Sequence, residues 1–81
     1  MAAPRVVMLG RPGCHLCDDA RVVISRVCSE IGVDWEERSI DDDAQLAQRY
    51  GEQIPVTFVD GEQHDFWWVD ETRLRHALSA P

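Results

Sequence analysis

Two cysteines separated by two residues, Cys14-His15-Leu16-Cys17, are the side chains of this sequence best suited to chemistry. They follow a short apolar run, Val6-Val7-Met8-Leu9, and a break at Gly10-Arg11-Pro12-Gly13, and they open a stretch with helical apolar spacing. A thiol at a helix start meets backbone N–H groups without intrahelical partners and the positive end of the helix dipole. Both favour thiolate over thiol. A second thiol one turn deeper can attack a mixed disulfide formed at the first and release the partner. The chemistry implied is thiol–disulfide exchange.

The competing use of a C-x-x-C pair is half of a metal site. A closed zinc site takes four ligands, and Cys28, His64 and His76 form no second pair of recognised spacing. No metal or other cofactor is expected. Cys28 is about 16 Å beyond Cys17 along a continuous helix, whereas a disulfide needs Cα atoms within about 7 Å. Cys28 therefore reads as a small, buried apolar residue. Asp41-Asp42-Asp43 reads as a solvated helix start, because no further oxygen ligands follow at the loop spacing of a divalent-cation site.

The elements that must position the thiols follow from the apolar pattern. Val6–Leu9 suits a strand buried on both faces. From about Cys14 a helical stripe runs through Leu16, Ala20, Val23, Ile24, Val27 and Ile31, with Asp18 and Asp19 in its first turns and Gly32 closing it. Residues 33–40 alternate loosely, with Val33, Trp35 and Ile40 inward, as a second strand. The three aspartates offer an N-cap to a short helix carrying Leu46, Ala47 and Tyr50 and ending at Gly51. Ile54–Val59 is a third strand, Asp60-Gly61 a two-residue hairpin turn, and residues 62–69 the return strand. A last helix begins near Asp70, with Leu74, Ala77 and Leu78 as its stripe. The first half is a βαβ crossover with parallel strands, and the hairpin adds antiparallel ones. The fold class is α/β, a β-α-β-α-β-β-α chain forming a mixed four-stranded sheet with flanking helices.

Eighty-one residues suit one small domain, spanning 1–81, with a radius of gyration of about 12 Å. Fifteen acidic residues oppose eight arginines, with no lysine, for a formal charge of −7. Such a surface repels phosphate backbones, so nucleic acid is not an expected partner. No apolar run approaches the roughly 20 residues that span a membrane, and the N-terminus lacks a secretion signal's apolar stretch. Three cysteines do not suit a secreted disulfide scaffold. A cytoplasmic monomer is expected.

The order of elements, with C-x-x-C at the first strand–helix junction, Ile54-Pro55 opening the third strand and the Asp60-Gly61 hairpin, resembles the thioredoxin fold. The short length, without an extra N-terminal strand and helix, resembles glutaredoxins and glutaredoxin-like proteins across essentially the whole chain. The resemblance implies that Cys14 is the nucleophile and Cys17 the resolving thiol, more buried and protonated until a mixed disulfide forms. It implies that Pro55 is a cis-proline facing the pair, leaving Ile54 backbone groups free for an extended substrate segment. A trans proline at a strand start is the alternative. Arg11 matches a basic position of glutaredoxins that adds charge near the thiolate, or it is a solvated loop arginine. His15, as an imidazolium, would stabilise the Cys14 thiolate, or it is an exposed residue of small effect.

The sequence departs from glutathione-using glutaredoxins after the hairpin. Those proteins carry a Gly-Gly-x-x-Asp-like stretch that holds the tripeptide through backbone groups. Here Asp65-Phe66-Trp67-Trp68-Val69-Asp70 has no glycine. Asp70 either keeps the acidic position or simply caps the last helix. The tryptophans are expected to pack on both faces of an edge strand, or one presents an aromatic wall to a partner. The expected function is reduction or exchange of protein or small-molecule disulfides, with a disulfide-containing protein or a low-molecular-weight thiol as partner and a thioredoxin-type reductase as a candidate electron source. The alternatives are a thioredoxin-fold binding module with an idle or regulatory cysteine pair, and a cluster- or metal-binding glutaredoxin-like protein.

Overall fold

In the computed structural model, residues 4–79 are described. They form strand β1 (Val6–Gly10), helix α1 (His15–Ile31), strand β2 (Trp35–Ser39), a 3-10 turn (Ile40–Asp42), helix α2 (Ala44–Tyr50), strands β3 (Val56–Val59) and β4 (Glu62–Phe66), and helix α3 (Glu71–Ser79). The sheet order is β2-β1-β3-β4. β1 pairs parallel with β2 (Val6 opposite Trp35) and antiparallel with β3 (Val6 opposite Val59). β3 pairs antiparallel with β4, interrupted by a bulge at which His64 is the extra residue. The radius of gyration is 11.9 Å.

Alternation along β1 divides the core between the two sheet faces. Val6, Met8 and Val59 pack with Cys17, Ala20, Ile24, Val27, Cys28, Leu74 and Leu78, so α1 and α3 cover one face. Leu9, Ile40 and Val56 form a smaller cluster on the other face, where Val7, Leu46, Ala47, Tyr50 and Phe58 lean on them. The buried stripe of α1 thus runs through Cys17 and Cys28. Ile31, expected inward, is exposed.

Several boundaries differ from the sequence reading, each for a local reason. β2 starts at Trp35, because Val33 N–H joins Gly32 N–H in donating to the Cys28 carbonyl, which closes α1. Ser39, whose hydroxyl accepts from Asp41 N–H, ends the strand before Ile40 and starts the 3-10 turn. Of the three aspartates, only Asp43 caps α2, its carboxylate accepting from Gln45 and Leu46 N–H groups. β3 starts at Val56, after Ile54-Pro55. β4 stops at Phe66, and the tryptophans do not pack on two faces of a strand: Trp67 has a φ of 66° and turns the chain out of the sheet. At the hairpin, Asp60 (φ 52°) and Gly61 (φ 85°) both take the left-handed conformation of a type I′ turn.

Candidate active site

The loop from β1 to α1 delivers Cys14 to the N-cap position of the helix. Its backbone is extended (φ −91°, ψ 114°), and its sulfur accepts from the Cys17 N–H at 3.2 Å. That contact aims one of the helix's unpaired N–H groups at Cys14 Sγ, so the electropositive helix end lies against sulfur rather than water. Cys14 is half-buried and Cys17 fully buried, and both are thiols here.

Burial pushes the Cys17 thiol up to about 12, and the hydrogen bond with Cys14 adds to the rise. The Arg11 backbone N–H pulls the other way, and the charges of Cys14 and Glu37 contribute smaller upward effects. Burial alone raises the Cys28 thiol. The pair is therefore asymmetric: one sulfur open to a partner at a helix end, the other held as a thiol beneath it. Gly10, which ends β1, makes this packing possible. A Cβ there would stand 3.0 Å from Cys17 Sγ and 3.4 Å from Met8 Cε.

The other expected residues take the following places. The Ile54–Pro55 peptide bond is cis, Pro55 is buried, and its carbonyl accepts from Trp67 N–H at 2.8 Å. Ile54 and Cys14 both pack against the core cluster on the α1/α3 face, as does Val69. Arg11 directs its guanidinium to Asp41, Nε to Oδ1 at 3.0 Å, so its charge is already paired at the surface. His15 is exposed at the first residue of α1. Asp70 accepts from Arg73 N–H at 3.0 Å, which makes it the cap of α3.

Sequence reasoning missed two features. The first is Gly10, read only as a strand breaker. The second is the fixed bend at Trp67, where the indole N–H donates to the Glu52 carbonyl at 3.0 Å. A notch of about 140 Å3 separates this bend from α1, between Leu16, Asp19 and Val23 on one side and Trp67, Trp68 and Val69 on the other. A groove of about 640 Å3 lies on the α2 face against Val7, Leu9, Leu46, Tyr50 and Phe58, with no thiol in its lining. Among the described residues no three His, Cys, Asp or Glu side chains converge as metal ligands.

Known proteins are similar to this chain in sequence and in fold. The uncharacterized protein Rv0508 of Mycobacterium tuberculosis is 35% identical over 80 residues, covering 93% of this chain and 82% of that protein. The crystal structure of protein XcR50 from X. campestris superposes with a TM-score of 0.75 at 35% identity, covering 94% of this chain and 99% of that one. Fasciola hepatica thioredoxin shares the fold, with a TM-score of 0.61 at 24% identity over 91% of this chain and 76% of that one. Residues 5–79 match the family described as Glutaredoxin-like domain (DUF836). With both its length and its four-stranded sheet accounted for in this way, the chain belongs to the glutaredoxin-like domain family and has the thioredoxin fold.

Proposed function

We propose that this protein is a thiol–disulfide oxidoreductase that cycles Cys14 and Cys17 between dithiol and disulfide. The observation that carries the reading is the asymmetry of the pair: Cys14 Sγ half-exposed on the helix N-terminus, Cys17 buried with its own N–H on that sulfur.

In the first step the Cys14 thiolate attacks one sulfur of a substrate disulfide. A Cys14–substrate S–S bond forms, the substrate S–S bond breaks, and the departing thiolate takes a proton from solvent. In the second step Cys17 loses its proton and attacks Cys14 Sγ. The Cys14–Cys17 bond forms and the second substrate thiolate leaves. Two electrons have passed from the pair to the substrate. A dithiol, two low-molecular-weight thiols or a thioredoxin-type reductase then returns them. The raised Cys17 thiol orders the steps, since burial holds it protonated and leaves the first attack to Cys14. Protein disulfides or small-molecule disulfides are the substrates in this reading. The cytoplasm, where such a pair is kept reduced, is the working compartment.

Cys14→Ser should abolish reduction of 2-hydroxyethyl disulfide with dithiothreitol as donor. Cys17→Ser should accumulate a mixed disulfide visible as a mass increment. Sub-stoichiometric iodoacetamide at neutral pH should label Cys14 and spare Cys17 and Cys28 in peptide mapping. A Cys14→Ser protein that turns over at the wild-type rate would end this reading.

A further inference from the structure

Phe66, Trp67 and Trp68 are three successive aromatic residues, each more than a third exposed, with Trp68 at 64%. They form edge-on contacts, with Phe66 and Trp67 centroids 5.1 Å apart and Trp67 and Trp68 5.9 Å apart. A chain normally avoids presenting such a surface to water. The backbone is also held against its preference. Trp67 lies at φ 66°, a region sterically disfavoured for any residue with a Cβ. Four hydrogen bonds hold it there: Trp67 N–H to the Pro55 and Gln53 carbonyls, its indole N–H to the Glu52 carbonyl, and Trp68 N–H to the Phe66 carbonyl. Strain that the surroundings over-determine in this way points to a use.

The position supplies the use. The bend is bonded to Pro55, and its notch is shared with Leu16, one of the two residues between the cysteines. The notch volume of about 140 Å3 fits one large apolar side chain, and Asp19 stands on its wall. Arg11, the basic residue preceding the pair, is already matched by Asp41, and the chain as a whole carries −7. An anionic tripeptide gains nothing from such a site, whereas a basic polypeptide is attracted to it. In an extended segment, side chains on one face recur about 7 Å apart. A half-cystine at Cys14 therefore brings the side chain two residues away toward the bend.

Building on the oxidoreductase reading, we infer that Trp67 and Trp68 form a specificity subsite. Its occupant is an extended, basic segment of a protein disulfide with an aromatic or large aliphatic residue two positions from the reactive cysteine. Trp68 supplies the exposed aromatic wall, and Trp67 fixes its place. The subsite disfavours glutathione disulfide.

The test uses two basic peptides, each with its cysteine in a mixed disulfide with 2-mercaptoethanol, carrying phenylalanine or glycine two residues from that cysteine. The wild-type protein should reduce the phenylalanine peptide with a kcat/KM about tenfold above that of the glycine peptide, as one buried aromatic contact allows. Glutathione disulfide should be the poorest of the three. In Trp68→Ala the ratio of the two peptides should collapse toward one. Trp67→Gly, which removes the ring at a φ that glycine accepts freely, should do the same. A wild-type ratio near one, its persistence in both variants, or a preference for glutathione disulfide would overturn the subsite. The two readings fail separately. If the wild type reduces none of the disulfides, the redox reading falls, and calorimetry with serine in place of the peptide cysteine decides recognition alone. Tighter binding of the phenylalanine peptide that Trp68→Ala abolishes sustains the subsite, and equal binding removes it.

Discussion

At Gly10 the reason for a small residue is a sulfur atom. Cys17 Sγ stands 3.0 Å from where a Cβ would lie, with Met8 Cε close behind. Both neighbours are fully buried, so neither can swing away into solvent. Gly10→Ala is therefore expected to destabilise the protein by about 1–3 kcal/mol, as overpacking of a filled core does. Under the proposed mechanism it should also slow release of the mixed disulfide, because the displaced sulfur is the one assigned the second attack. Urea unfolding and single-turnover kinetics check the two effects, and an unchanged midpoint with an unchanged release rate would contradict the packing described. The thiol spacing was legible in the sequence because C-x-x-C on a strand–helix junction dictates which sulfur occupies the cap. The role of Gly10 was not, because β1 and α1 come into contact only when α1 folds back over the sheet. Arg11 shows the same limit. Its type fits a thiolate partner, yet Asp41, far along the chain, claims its guanidinium.

At the scale of elements, α2 is the least self-sufficient piece. It runs only from Ala44 to Tyr50 and has no fully buried residue of its own. A helix so short owes its existence to its ends and its packing. Asp43 satisfies two of its free N–H groups, so Asp43→Ala should cost about 1 kcal/mol of stability. Because Leu46, Ala47 and Tyr50 cover the cluster around Ile40, the loss should appear in global unfolding. A denaturation midpoint identical to that of the wild type would mean that another group caps the helix. Helix existence, strand order and the Asp60-Gly61 turn were all legible, since each rests on a local pattern of apolar spacing or turn chemistry. Strand ends were not. Residues 66–69 continue a strand-like apolar run, but the Pro55 carbonyl takes the Trp67 N–H and ends the ladder at Phe66. Val33 looks like a strand residue and is instead consumed in closing α1. In both places a contact made elsewhere in the chain outweighs the local preference.

For the whole molecule, charge is the dominant surface property. Arg26 and Arg75 tie Glu71 and Glu30 across α1 and α3, Arg21 joins Asp18 and Glu37 across α1 and β2, and Arg5 holds Asp60 at the hairpin. Hydrogen bonds from these arginines hold the Glu37, Asp60 and Glu71 carboxylates below their usual range. A carboxylate whose folded-state pKa is depressed stabilises the fold above its unfolded value, and that contribution is lost as pH falls through the folded value. Acidification also relieves the repulsion among the surplus acids, which opposes the loss at first. The melting temperature should therefore hold between about pH 7 and 5 and fall below about pH 4. A scan by circular dichroism that rises steadily down to pH 3 would show that repulsion outweighs the pairs. Composition revealed the acid excess, but pairings such as Arg26 with Glu71 join residues that only the folded topology brings together.

The placement of β1 between two partner strands carries a mechanical consequence. Its backbone from Val6 to Leu9 is bonded on both edges, to β2 and to β3, and Cys14 follows only four residues after the strand ends at Gly10. Stiffness passes from a strand anchored on both sides almost directly to Cys14 Sγ, with little slack chain between to absorb recoil. A partner pulling on a bond to Cys14 therefore pulls on the middle of the sheet, and tension there spreads over the entire framework rather than peeling away a flap.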